Sequence, residues 1–138
     1  MATLYDLELQ ESNNFIHALM NDGMTPALKL MQDQIKMFEG MGEAGEAALK
    51  ELKDPESDMG KNYQRLQKLQ QEIKNVMQMT QMTAELAQKA NQIFSQNPPS
   101  LSSLSDEDRQ VIRDYWLKKK MCIVALLKKG FTYEELFS

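Results

Sequence analysis

The chain has one cysteine, one histidine and one tryptophan in 138 residues, and only 7% of it is aromatic. A single thiol, Cys122, excludes an intrachain disulfide framework. It sits in the apolar run Met121–Leu127, where a buried, inert thiol is expected. A single imidazole, His17, cannot by itself build a metal cluster, and a structural or exposed role is expected of it. No apolar run approaches the roughly 18–20 residues that cross a bilayer. The N-terminus lacks a basic segment followed by an apolar one, so no cleavable signal peptide is expected. A nucleophile elbow, a phosphate-binding loop, a dinucleotide fingerprint and an EF-hand loop are all missing. The acidic pairs Asp106/Asp108 and Glu134/Glu135 stand where helices begin, which assigns them to capping rather than to general acid chemistry. No catalytic residue, cofactor site or metal site is expected, and an enzyme is not expected.

Methionine is abundant, with 11 in the chain, and glutamine is dense between Gln64 and Gln96. Methionine suits irregular helix packing or a surface that repacks against partners. Few aromatic or β-branched residues precede position 110, so helix is favoured over sheet. The net charge of −4 speaks against nucleic-acid binding, and its distribution is uneven. Residues 1–60 hold 4 basic and 12 acidic side chains, net −8; residues 61–100 are net +3, and 101–138 net +1. An acidic N-terminal arm folding back on a mildly basic central helix is electrostatically consistent; the alternative is that most of these charges are simply solvated.

The stretch from Asp54 to Gln96 organises the rest. Asp54-Pro55-Glu56 offers an acidic N-cap, a first-position proline and further acid, and no proline follows until Pro98-Pro99. Leu66, Leu69, Ile73, Val76, Thr80, Thr83, Ala87, Ala90 and Phe94 recur at three- and four-residue steps, on one side of a helix. The pattern predicts one long central helix over about 55–96, roughly 60 Å in length, which other helices or another chain would have to line. Flanking Met77, Met79, Met82 and Leu86 widen its apolar surface, and are the expected partner-binding residues together with Phe137 near the end of the chain.

Thr3 to Asp6 fits a capping box, opening a helix from about Leu4 to Met20 that Ser12-Asn13-Asn14 interrupts. Thr25-Pro26 restarts the helix, and Leu28, Met31, Ile35 and Phe38 give it an amphipathic stripe. Gly40, Gly42 and Gly45 predict a hinge or loop, after which Glu43–Lys53 is again helical. The Pro/Ser segment 97–104 is a linker, with Leu101 and Leu104 expected to pack down. Ser105 caps a helix to about Lys129 whose apolar face is Val111, Ile112, Tyr115, Trp116, Ile123, Leu126 and Leu127. Thr132–Glu135 suggests a final short turn. The cluster Lys118, Lys119 and Lys120 is a candidate polyanion contact.

Two local patterns resemble known families. Gly130-Phe-Thr-Tyr-Glu-Glu-Leu136 resembles the first part of a helix-turn-helix, whose reading helix would have to follow it. Residues 43–94, with a helix, an Asp-Pro turn and a Gln/Asn-rich helix ending in Asn-Gln-Ile-Phe, resemble the small α-hairpin proteins of bacterial type III secretion needles and rods; residues 95–138 lie beyond the part covered. That likeness implies a secretion-apparatus subunit or chaperone.

The expectation is an all-α helical bundle of four to five helices with coiled-coil-like packing. It would form one domain: N-terminal helices with a glycine hinge (1–53), the long helix (54–96), the linker (97–104), and a C-terminal helix and tail (105–138). The expected role is a non-enzymatic protein–protein interaction or assembly component of bacterial or phage type, binding a protein partner or itself as a homo-oligomer. A small regulator or inhibitor that binds a protein or nucleic-acid machine through the basic C-terminal helix is the alternative. A cytoplasmic location is expected, with signal-independent export or a virion left open.

Overall fold

The computed structural model describes residues 2–11 and 13–137. Among them are eight α-helices and no strand: α1 Leu4–Gln10, α2 Asn14–Met20, α3 Pro26–Gly40, α4 Glu43–Lys53, α5 Asp58–Thr80, α6 Ala84–Ser95, α7 Asp106–Lys128 and α8 Tyr133–Phe137. A short 3-10 turn, Leu101–Ser103, lies in the linker. The all-α bundle is as expected, but the number of helices is not, because two expected helices are each broken in two and the final short turn is a helix, α8.

The first break separates α1, which ends at Gln10, from α2, which opens at Asn14; of the interrupting Ser12-Asn13-Asn14, Ser12 lies outside the described residues. Asn13 stands at the N-cap position of α2 without a side-chain cap bond. The second corrects the long central helix. Thr80 ends α5, Gln81 takes a left-handed conformation (φ 61°), and the Thr83 hydroxyl accepts from Leu86 N–H at 3.0 Å to cap α6. The break is compatible with the seam, because Leu69, Ile73, Val76, Thr80, Ala87, Ala90 and Phe94 are all buried. A straight helix would carry its second half away from the bundle. The turn at 81–83 instead lets α6 pack on α1, α2 and α7, while α5 packs on α2, α3, α4 and α7. At 23 residues, α5 is about 35 Å long, a length the bundle covers.

The start of α5 is also displaced. Asp54 does not cap it; its carboxylate accepts from Glu56 N–H at 2.9 Å and closes a turn around Pro55. Ser57 is the cap, accepting from Gly60 N–H at 2.9 Å. Here α4 reverses into α5 so tightly that a Cβ on Gly60 would lie 1.8 Å from the Asp54 carbonyl oxygen.

The glycine hinge is shorter than expected, because Gly40 ends α3 and Gly45 lies inside α4, leaving Met41 and Gly42 between the helices; the capping signals act as expected. Thr3 and Asp6 form a reciprocal capping box, Thr25 caps α3 with Pro26 behind it, Ser105 caps α7, and Thr132 with Glu135 caps α8. Each such cap contributes about 1 kcal/mol. Leu101 and Leu104 pack against the core, and their carbonyls accept from the Arg109 guanidinium at 3.1 and 3.0 Å.

The core draws on α1, α2, α5, α6, α7 and α8, with Phe15, Leu19, Ile73, Phe94, Tyr115 and Leu126 fully buried. Phe94 meets Tyr115 edge-on and stacks on Trp116. Arg65 of α5 reaches α8 by a two-pronged pair with Glu135 (2.8 and 3.0 Å) and lies over the Phe131 ring at 4.3 Å. The α3–α4 hairpin is apart from this core; Leu28 and Leu52 are its buried side chains of any size.

Candidate interaction surface

Helix α7 is amphipathic on one side and apolar again on the other. Its inner side buries Ile112, Tyr115, Cys122 and Leu126. The outer side carries Leu117, Met121 and Val124 at four- and three-residue steps, one stripe on a helix. All three are exposed, Leu117 by 59%. Arg113 precedes this stripe by one turn and Lys128 follows it by one turn.

Beside the stripe lies a groove of about 460 Å³ between α1, α7 and α8. Leu7 of α1, Trp116, Ile123, Val124 and Leu127 of α7, and Tyr133 of α8 form its apolar walls. Its floor is ionic. Lys119 Nζ lies 3.1 Å from Glu8 Oε1 and 2.7 Å from Glu11 Oε2, and Trp116 Nε1 donates to Glu8 Oε2 at 3.1 Å. Glu8 and Lys119 are buried. A buried charge is tolerated when paired and hydrogen-bonded, so this cluster pins the seven-residue α1 onto α7. Burial, with Glu8 and Glu11 nearby, drives the Tyr115 phenol above its ordinary range.

The structure separates the residues singled out from the sequence. Met77 and Met82 are buried in the core, Leu86 packs against it, and Phe137 rests on Phe15 and Tyr133 at ring-centroid distances of 5.7 and 4.7 Å. Met77 and Met82 also reach the floor of an open depression at the α5–α6 break, rimmed by Asp22, Lys74, Gln78 and Gln81. Only Met79 of the methionine group projects into solvent, 68% exposed. The four are thus no continuous outer face. Residues 77 and 79 point to different sides of α5, and Met82 lies in the turn.

The lysine cluster is likewise dispersed, because successive helical residues are about 100° apart. Lys118 pairs with Asp114 at 3.3 Å, Lys119 is consumed in the groove floor, and Lys120 alone is exposed without an ion-pair partner among the described residues. Cys122 is buried, its sulfur 3.2 Å from the Thr80 hydroxyl, and burial pushes its thiol up; the expected unreactive thiol fits this setting. His17 is exposed on α2. Among the described residues no cluster of three His, Cys, Asp or Glu is placed to hold a metal ion, and no helix is long and apolar enough to cross a membrane.

The outer stripe of α7 and the groove residues Leu7 and Tyr133 went unread in the sequence. Leu117, Met121 and Val124 do carry a signal, a second 4-3 repeat offset from the core face, but the stronger core repeat masks it. Protein-family profiles, curated proteins and solved structures offer no match to this chain.

Proposed function

We propose that this chain is a non-enzymatic interaction or assembly component, and that its docking face is the outer side of α7 with the adjoining α1–α7–α8 groove. The supporting observation is the exposed stripe Leu117, Met121 and Val124, which meets at Val124 the groove lined by exposed Leu7, Leu127 and Tyr133. Single exposed apolar residues are ordinary, whereas a concave group of them beside a rigid helix marks an interaction site. The charged floor limits the groove to a partner that covers it without inserting an unpaired charge. An adaptor or structural role in the cytoplasm belongs to this reading. The regulator alternative would use the same helix, with Lys120 rather than the whole lysine cluster as its cationic contact.

The test is crosslinking in the cells that make the protein. Leu117→Glu with Val124→Glu should leave the helical circular dichroism intact and remove the crosslinked species that the wild-type chain forms. Met79→Glu, on the exposed side of α5, should retain them. An unchanged crosslinking pattern in the folded α7 variant would overturn the proposal.

A further inference from the structure

We infer that the α7 face takes an acidic amphipathic helix of a partner protein, with its apolar side on the stripe and its carboxylates beside Arg113, Lys120 and Lys128. The inference rests on the docking reading above and adds the chemistry of the occupant. From Arg113 to Lys129 the chain holds six basic side chains and one acidic one, Asp114. Three of the six are engaged within the molecule: Lys118 with Asp114, Lys119 with Glu8 and Glu11, and Lys129 with Glu72. The other three, Arg113, Lys120 and Lys128, are exposed and have no ion-pair partner among the described residues. They share a side of the helix with the stripe. Arg113 stands four residues before Leu117, Lys120 lies three after Leu117 and four before Val124, and Lys128 stands four after Val124. Free cations and exposed apolar side chains therefore alternate along one face.

The two nearest rivals each lack one of these properties. Helix α3 exposes Leu30, Met37 and Met41, but the α3–α4 arm holds five acidic and four basic side chains between 26 and 53. Its unpaired Lys36, Lys50 and Lys53 stand among unpaired Glu39 and Glu43, so its free charge is of mixed sign. Helix α5 leaves Lys61, Lys68 and Lys74 exposed and unpaired, yet Met79 is the one large apolar side chain it exposes. Acid beside apolar side chains complements the α7 face, and the 4-3 spacing of the stripe is a seam for a second helix. Arg113 to Lys128 covers about 22 Å of α7, roughly four turns of a partner helix. The groove fixes the side on which the partner's carboxylates fall. Its floor sets two carboxylates, buried Glu8 and exposed Glu11, against Lys119, so that edge repels acid. The acids lie along the stripe, and an apolar side chain enters the groove beside Trp116 and Leu127. A membrane surface or a phosphate backbone would meet the cations but leave the concave apolar walls uncovered.

The test is a fluorescence titration of the full chain, read from its single tryptophan, Trp116, which lines the groove. The probes are three synthetic helices of about 18 residues with one leucine stripe, flanked by Glu, by Gln or by Lys. The Glu helix should bind at least about tenfold more tightly than the Gln helix, and the Lys helix more weakly still. Raising the salt should narrow the difference. Arg113→Gln with Lys120→Gln and Lys128→Gln should erase it, whereas Arg113→Lys with Lys120→Arg and Lys128→Arg should keep it. All three sites are exposed, and circular dichroism checks that each variant is folded. The inference fails if the Glu and Gln helices bind alike, or if no helix binds. It fails if phosphatidylserine vesicles or a single-stranded oligonucleotide shift the fluorescence and the Glu helix does not. A dimer of the chain that the Glu helix cannot displace also overturns it. The docking reading is judged separately by the cellular crosslinks. Their loss in Leu117→Glu with Val124→Glu, but not in the triple Gln variant, would overturn the acidic occupant and leave the docking face standing.

Discussion

The α3–α4 arm and the body around α5, α6 and α7 are made of the same kind of amphipathic helix, yet they are held in different ways. In the body, stripes from several helices converge, and residues such as Ile73, Phe94, Tyr115 and Leu126 are sealed from water. In the arm two helices meet mainly each other and α5. Met31, Ile35 and Phe38 are only half-buried, although their spacing is as regular as any in the chain. An apolar stripe sets which way a helix faces; the number of layers that cover it sets how much it stabilises. The arm is therefore expected to open below the free energy of global unfolding, which leaves it adaptable where the body is rigid.

The largest effects expected from single changes are in the body. Lys119→Ala removes the cation from the groove floor and leaves Glu8 buried with only Trp116 as donor. A loss of about 3 kcal/mol is expected in denaturant unfolding. A loss below about 1 kcal/mol would mean that water reaches Glu8 and the floor is not sealed.

Leu126→Ala and Leu28→Ala then set the two regions against each other with the same chemistry. Both side chains are fully buried. Leu126→Ala is expected to cost about 3 kcal/mol of global stability. Leu28→Ala should speed amide exchange in α3 and α4 while leaving α7 protected. Equal loss of protection in both regions would merge arm and body into one cooperative unit.

The arm can be probed more finely through its glycines. A Cβ on Gly45 would lie 2.0 Å from the Phe38 carbonyl oxygen, whereas one on Gly40 would meet nothing within 4 Å. Gly45→Ala should pry α4 from α3 and lower arm protection by about 1 kcal/mol or more, against the roughly 1 kcal/mol that alanine ordinarily adds to a helix. Gly40→Ala should be neutral or mildly stabilising, as read by the same exchange experiment.

The smallest effect is electrostatic and belongs to the body. The Arg65 guanidinium beside Glu135, with help from Thr132, holds that carboxyl down at about 2 against an ordinary value of 4.5. A depressed carboxyl stabilises the fold above its unfolded value, and the contribution is lost as pH falls from 4.5 through about 2. Glu135→Gln should therefore lower Tm at pH 6 and make less difference as pH falls through that window. A difference that persists undiminished at pH 2 would locate its origin elsewhere.

How much of this was legible follows from the range of each interaction. The caps at Thr3, Thr25, Ser105 and Thr132 depend on residues three positions away, and the sequence displays them. Ser57 was overshadowed by Asp54-Pro55, a stronger start signal that the chain spends on a turn. The break at 81–83 was hidden because Thr80 and Thr83 also satisfy the seam repeat; only the pairing of Thr83 with Glu85 in the first turn hinted at a new start. Lys119 could not be told from Lys118 and Lys120, since its partners Glu8 and Glu11 lie at the other end of the chain. For the same reason Met77 and Met82 read as surface when the fold makes them core.

The most direct measurement uses the methionines as reporters. Spectra of methyl-labelled methionine recorded with and without the crosslinked partner should show Met121, on the outer side of α7, shifting. Met77 and Met82, inside the core, and Met79, on the open side of α5, should stay fixed. Movement of Met79 with a stationary Met121 would contradict the assignment of the docking face to α7 and return it to the central helix.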